Sequence, residues 1–350
     1  MELIKESIRN LKEYVPNNFK YKIKLDANEG KNILFKDIYK EGIKFGEDFN
    51  INFYPDNEAN ILREEIGKYI NINPTNIVAG NGSSEMIELI IKTFVDKDEV
   101  ILSFVPTFSM YSIFSKIYSA KFMGLKSNED FSIDIELLIN KAKEVNPKVI
   151  ILCNPNNPTG YLIDKDYIKR LLENTDSIVV VDEAYIEFAG DSMVNEIGNY
   201  KNLIVLRTLS KALGLAAVRL GYMVSNEKTI NIINKVRSPY NLNALTQYVG
   251  VMALRNKDKI ISYVEEVKKE REFLYTKLNR LRIKAFKSYG NFVFFKCETS
   301  DLKYKLAEYG ILIRDFSEDL KGYFRVTVGS EYENREFIKC LKEIKENEKS

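Results

Sequence analysis

From Ile77 onward the chain alternates between two textures, and that alternation restricts its fold more than any other feature. Short apolar runs recur at Ile77–Ala79, Val100–Ser103, Val149–Cys153, Ile178–Val181, Leu203–Leu206 and Leu220–Val224. Each is short, rich in β-branched residues and bounded by polar or turn residues, which predicts buried strands. Between most of them lie segments of helical spacing, notably Glu85–Phe94, Ile135–Val145 and Lys165–Asn174. Strands alternating with helices predict an α/β fold: a mostly parallel sheet flanked by helices. Ligands of such sheets bind beyond the carboxyl ends of the strands. The chemically loaded residues fall at those ends: Gly80 onward, Ser103 onward, Asn154 onward, Asp182, and Thr208 onward.

After Ser225 the texture changes. Helical patterns run over Glu227–Lys235 and Asp258–Leu281, strands are expected at Asn291–Cys297 and Tyr323–Val328, and a closing helix at Arg335–Lys345. This predicts a large domain over 27–235 and a smaller α+β domain over 236–350, with 1–26 packing on the latter. Met1–Tyr14 reads as a short amphipathic helix, Ile61–Ile70 as another, and Lys31–Asn52 as a helix with loops.

Composition narrows the chemistry. The net charge is +2 over 350 residues, too small for electrostatic nucleic-acid binding. No apolar run is long enough to span a membrane. Cys153, Cys297 and Cys340 are widely spaced and form no metal or disulfide framework, which fits a reducing cytoplasm. The chain has no histidine. Histidine triads and histidine metal sites are therefore excluded, and proton transfer falls to Lys, Tyr, Asp or Glu.

Five stretches and two arginines carry the chemistry; in one of the stretches, Pro106–Tyr111 at a helix start, an aromatic can stack on a flat heterocycle or simply pack in the core. In Leu203–Arg219, Lys211 follows a buried run, with Thr208, Ser210 and Arg219 nearby. An amine among apolar residues has a lowered pKa and can form a Schiff base with a carbonyl, while hydroxyls and a guanidinium can hold a phosphate. Alternatively, Lys211 snorkels from a helix start and Arg219 is unrelated to it. Gly80–Glu85 joins a strand to a helix, so amides near Ser83 and Ser84 can face an anion, or the turn is plain and serine-capped. Asn154–Gly160 holds two prolines and a glycine in seven positions, a rigid loop able to aim an amide at a ligand. Asp182, after Ile-Val-Val-Val, is costly at the end of a buried strand unless paired; a protonated pyridine nitrogen would pair it, and capping a turn is the other use. Arg314 and Arg325 lie in the smaller domain and suit an anion or a structural ion pair.

Taken in order, these motifs resemble the fold-type I pyridoxal-phosphate aminotransferases, and among them the histidinol-phosphate branch. The resemblance rests on Tyr-Pro-Asp at 54–56, Asn-Pro-Asn-Asn-Pro-Thr-Gly at 154–160, Val-Asp-Glu-Ala-Tyr at 181–185, Arg-Thr-Leu-Ser-Lys at 207–211 with Arg219, and Pro-Tyr-Asn-Leu-Asn-Ala-Leu-Thr-Gln at 239–247. It implies pyridoxal 5'-phosphate as cofactor and no metal. Lys211 becomes the Schiff-base lysine and proton shuttle. Asp182 faces the pyridine nitrogen, Asn157 and Tyr185 the ring oxygen, and Tyr111 stacks on the ring. Ser83, Ser84, Thr208, Ser210 and Arg219 surround the phosphate. Tyr54 reaches it from a partner subunit, which implies a homodimer. Arg325 and Arg314 bind the substrate anion, and Tyr14 and Asn28 cover the substrate.

One departure stands out. The family continues from Asp-Ala-Asn-Glu into Asn-Pro and a glycine turn, whereas here Glu29 is followed by Gly30, Lys31 and Asn32. The expected activity is amino transfer between glutamate and 2-oxoglutarate on one side and histidinol phosphate and imidazole acetol phosphate on the other. The rivals are a threonine-phosphate decarboxylase, an aromatic or broad-range aminotransferase, and a non-catalytic regulator using the same fold.

Overall fold

The computed structural model describes residues 3–9, 11–13, 17–34, 36 and 52–348. Two sheets organise them. The larger contains β2 (Ile77–Asn81), β3 (Val100–Val105), β4 (Lys121–Lys126), β5 (Val149–Cys153), β6 (Ile178–Asp182), β7 (Leu203–Thr208) and β8 (Leu220–Ser225), in the order β2-β8-β7-β6-β5-β3-β4. β8 runs antiparallel to both neighbours, and the other neighbouring pairs are parallel. Every residue of β5, β7 and β8 is buried, as befits central strands covered on both faces. The expected α/β architecture is therefore present, with strands at all six apolar runs.

Helices start where local chemistry caps them. Asp134 accepts from the Glu136 and Leu137 amides ahead of Ile135–Val145, and Asp164 accepts from Asp166 N–H ahead of Lys165–Glu173. The terminal helix Glu331–Asn347 opens on a capping box between Ser330 and Glu333.

The second sheet holds β1 (Ile23–Leu25), β9 (Lys284–Ala285), β10 (Phe292–Lys296), β11 (Ile311–Asp315) and β12 (Tyr323–Thr327), in the order β1-β11-β12-β10-β9. β1 pairs parallel with β11, so a strand from the start of the chain completes a sheet built from its end. The 24-residue helix Lys257–Arg280 packs on the helix Glu331–Asn347 and also meets β10.

Several elements differ from expectation. At the N-terminus the described residues form one 3-10 turn, Glu6–Ile8, rather than an amphipathic helix; Tyr14 and most of 35–51 lie outside the described residues. The helix Ala244–Leu254 and the strands β4 and β11 have no counterpart in the sequence reading. Ala244–Leu254 is apolar over most of its surface, so it shows no amphipathic period. Among the described residues, no helix is long and apolar enough to cross a membrane.

Candidate active site

The sheet directions bring the motifs to one edge. β2, β5, β6 and β7 end there, and β8, being antiparallel, begins there. Asp182 closes β6, Thr208 closes β7, Asn154 follows β5, Gly82 follows β2, and Arg219 precedes β8.

Asp182 is 2% exposed. Its Oδ2 accepts from Tyr111 Oη at 2.7 Å and its Oδ1 from Ala184 N–H at 3.2 Å. Burial raises the carboxyl's pKa; the Tyr111 hydrogen bond, the Ala184 amide and the charge of Lys211 pull it back. Cys153 stands beside Asp182 in strand register. Tyr111 itself has no exposed surface, and burial pushes its phenol well above the usual range. This corrects the expected stacking role. Tyr111 offers no open face to a heterocycle, because its ring is enclosed and its hydroxyl is spent on the carboxylate. Phe108, of the same segment, lies edge-on to it at 5.7 Å, is half-buried, and is the other aromatic next to the site. Its signal was the Pro106-Thr107-Phe108 start of the same segment, where Tyr111 drew the role instead.

Lys211 follows β7, and its amine donates to the Ala27 carbonyl at 3.1 Å. The residue is half-buried, but its amine is enclosed; desolvation, with the Arg325 cation second, brings its pKa down to about 7. The amine also lies 5.7 Å from the Tyr185 ring centre. An amine poised near neutrality can act both as nucleophile and as proton carrier.

An anion cradle sits at the adjacent strand ends. The helix Gly82–Phe94 directs its first turn, with Ser83 and Ser84 half-buried, toward the edge. Gly82 has φ +75°, and a Cβ there would lie 2.7 Å from Arg219 Nη2, so only glycine lets that guanidinium lie against the helix start. Thr208 Oγ1 lies 3.0 Å from Ser210 Oγ, and both residues are buried. Amides, hydroxyls and a guanidinium converging at a helix start suit a phosphate.

The loop Asn154–Gly160 divides its labour. Asn154 Oδ1 accepts from Ile163 N–H, and Asn156 Nδ2 donates to the Pro106 carbonyl at 2.9 Å. Asn157 thereby turns inward, and its Oδ1 accepts from Arg325 Nη1. Arg325 Nη2 donates to the Asp26 carbonyl at 2.8 Å, and its guanidinium sits over the Phe292 and Phe316 rings. Arg314 is half-buried opposite Arg325 in register. Tyr185, 4% exposed, packs edge-on to Phe292, and its Oη accepts from Asn28 Nδ2 at 3.1 Å. Burial pushes its phenol up to about 12. Asn28 is fixed in turn, its N–H donating to Thr327 Oγ1 and its carbonyl accepting from Asn291 Nδ2. Thr327 and Asn291 are further buried supports that the sequence reading did not single out.

Tyr54 is different: it is 80% exposed and stacks on Tyr240 at 4.5 Å and 15°. Gln247, Tyr240 and Arg237 fasten the 56–58 turn beside it: Gln247 Nε2 donates to the Asp56 carbonyl, Tyr240 N–H to Asn57 Oδ1, and Arg237 Nη2 to Glu58. Among the described residues, no cluster of acidic or cysteine side chains could hold a metal ion.

The aminotransferase class I and II family model matches residues 20–341. A histidinol-phosphate aminotransferase of Caldanaerobacter subterraneus subsp. tengcongensis is 42% identical over 346 residues, covering 98% of both chains. One from Clostridium novyi is 41% identical over 344 residues, covering 97% of both. Among solved structures, the histidinol-phosphate aminotransferase from Clostridium acetobutylicum aligns with a TM-score of 0.84 at 29% identity, covering 93% of this chain and 99% of that one.

Proposed function

The chain belongs to the class I and II aminotransferases, and from that premise we propose how its residues carry out amino transfer. The protein is a pyridoxal-phosphate-dependent transaminase of histidine biosynthesis. It exchanges an amino group between glutamate and 2-oxoglutarate, and between histidinol phosphate and imidazole acetol phosphate.

The residues at the sheet edge fit the cofactor. Asp182 is a buried carboxylate whose Oδ1 accepts one long bond among the described residues, leaving capacity for a cationic ring nitrogen. Asn157 and Tyr185 would meet the ring oxygen, and Phe108, rather than Tyr111, the ring face. Ser83, Ser84, Thr208, Ser210 and Arg219 would hold the phosphate. Pyridoxal phosphate supplies an electron sink for the bonding pair released at the substrate's α-carbon. Lys211 would take the substrate's α-proton at Nζ and hold it for return, and Asp182 would pair with a protonated ring nitrogen. Arg325, with Arg314 beside it, grips a carboxylate in one half-reaction and a phosphate in the other, since a guanidinium fork suits both. Asn28, on the N-terminal segment, covers the substrate and excludes water.

The observation that carries this reading is the enclosed Lys211 amine, lowered to about 7 within reach of the Asp182 field. Lys211→Ala tests it. The expected result is loss of the yellow, borohydride-reducible chromophore in a folded protein; its persistence refutes the assignment. A panel of glutamate, histidinol phosphate and aromatic amino acids, with carbon dioxide monitored, tests the substrate. Carbon dioxide release without amino transfer would make the protein a decarboxylase instead.

We take the enzyme to be a cytoplasmic homodimer in which Tyr54 completes the partner's phosphate site. An exposed, stacked Tyr54 held by the 239–247 segment supports this. Mixing inactive Lys211→Ala with impaired Tyr54→Ala subunits should restore activity through hybrid dimers, and no recovery would overturn the shared site. The expected parts, 27–235 and 236–350 with 1–26, fit the pairing of β1 with β11. Limited proteolysis that leaves no stable fragment bounded near 236 would argue against that division.

A further inference from the structure

The segment Asp26–Lys31 lies across the active site, and it approaches the turn after Lys211 through backbone alone. A Cβ on Gly30 would stand 2.0 Å from the Lys211 carbonyl oxygen and 2.9 Å from Gly214 Cα. A Cβ on Gly214, itself at φ +67°, would stand 2.2 Å from the Lys31 carbonyl oxygen. Contacts this short leave no room for any side chain on either strand of the crossing. The turn is closed by Gly214 N–H donating to the Lys211 carbonyl at 3.1 Å.

We propose that Gly30 is a positioning residue for Lys211: with Gly214 it makes a side-chain-free crossing that seats the Ala27 carbonyl on the lysine amine. The segment has nowhere else to give. On its far side Asn28 N–H donates to Thr327 Oγ1 at 2.9 Å, and the Asn28 carbonyl accepts from Asn291 Nδ2 at 3.1 Å. Lys31 N–H donates to Tyr263 Oη at 2.9 Å from the long helix behind. Any residue larger than glycine at position 30 therefore displaces the segment from the lysine and not from the small sheet. The displaced carbonyl no longer aims the amine, and water gains access to it. This is also the place where the sequence leaves its family's pattern, with Gly30 and Lys31 in place of Asn-Pro.

The inference rests on Lys211 being the reactive amine. The test uses the cofactor-loaded enzyme with Gly30→Ala, Tyr263→Phe, and Lys31→Ala as a reference, because the exposed Lys31 side chain pairs with Glu266 at the surface. For Gly30→Ala, the pH midpoint of the lysine-linked chromophore is expected to move by about half a unit or more as the enclosure of the amine changes. Its kcat should fall about tenfold, with KM for the amino donor within about twofold of the parent, as befits loss of aim rather than of binding. In the cofactor-free protein, the midpoint for cofactor capture should rise, because rehydration favours the ammonium. Tyr263→Phe, which creates no clash, should move the same midpoints the same way by less, and Lys31→Ala should leave them in place. Parent-like midpoints in Gly30→Ala overturn the proposal; should that variant not fold, parent-like midpoints in Tyr263→Phe overturn it equally. A reducible chromophore surviving in Lys211→Ala would instead sink the assignment of Lys211 itself.

Discussion

Arg314 and Arg325 stand directly opposite each other across the antiparallel β11–β12 pair. Opposed residues share a sheet face, and two like charges so placed repel. A substrate anion held between them would offset that repulsion. Arg325 is the more buried of the two, fixed by Asn157 and the Asp26 carbonyl. Arg325→Ala should raise KM for glutamate and for histidinol phosphate about 10- to 150-fold, the range of one charge-assisted hydrogen bond. Retention of the lysine-linked chromophore should be little changed. Steady-state kinetics on both half-reactions check this, and an unaltered KM for glutamate removes Arg325 from the substrate site.

Tyr111→Phe deletes one hydroxyl from a buried pair. The hydroxyl stabilises the Asp182 carboxylate, so its loss raises a carboxyl pKa that burial has already raised. A neutral Asp182 no longer holds a cationic ring nitrogen. The expected loss in kcat is about 10- to 100-fold, the worth of one hydrogen bond to a charged group. The sign for stability follows from the raised pKa. Ionising Asp182 opposes folding, so its cost is absent below the unfolded value of 3.8 and grows as pH rises through the folded one. Asp182→Asn should therefore stabilise the cofactor-free protein at neutral pH and lose that advantage in acid, which thermal melts across pH will read.

Arg207 is 7% exposed and bridges Glu183 and Glu187, each at 3.0 Å. Glu183 is further satisfied by Ser192 Oγ and the Met193 amide. Replacing Arg207 by Met leaves two buried carboxylates unpaired, at a cost of about 3–5 kcal/mol. The loss should appear in urea unfolding of the cofactor-free protein. A stability within about 1 kcal/mol of the parent would show that the carboxylates simply take up protons.

The sequence made the strands around the site legible because their residues are buried on both faces, so hydrophobicity alone marks them. Val149–Cys153 and Leu203–Leu206 are such runs. Lys211 and Asp182 draw attention as charged side chains that follow such runs, whereas Asn157 is singled out by the family resemblance of its loop and not by hydrophobic pattern. The sequence left β4 unread because Lys121–Lys126 lies at the sheet edge with charged residues at both ends, so no apolar run marks it. It misassigned Tyr111 because type and spacing do not say which of two aromatics, Phe108 or Tyr111, turns inward to a carboxylate 71 residues away. Gly30 read as a departure from a pattern, and its reason is a carbonyl 181 positions later in the chain, the kind of contact only the folded backbone reveals.

Lys211 gives the sharpest pH dependence. Its folded-state pKa of about 7 lies below the 10.5 of a free lysine. The unfolded chain therefore binds a proton that the folded chain rejects between those values. Folding is penalised in full below about pH 7, and the penalty fades as pH rises toward 10.5. Lys211→Met removes the penalty, so the cofactor-free variant should melt higher than the parent at pH 7, by about 2 °C or more, with the gap closing by pH 10.5. The same group governs cofactor capture, because only the neutral amine attacks an aldehyde. The rate at which the cofactor-free enzyme gains its yellow absorbance should rise about tenfold per unit below pH 7 and level off above it. Stopped-flow absorbance over pH 5.5–9 measures that profile. A rate still climbing at pH 9 would mean that the amine titrates like a solvent lysine, and that the enclosure around it does not tune it.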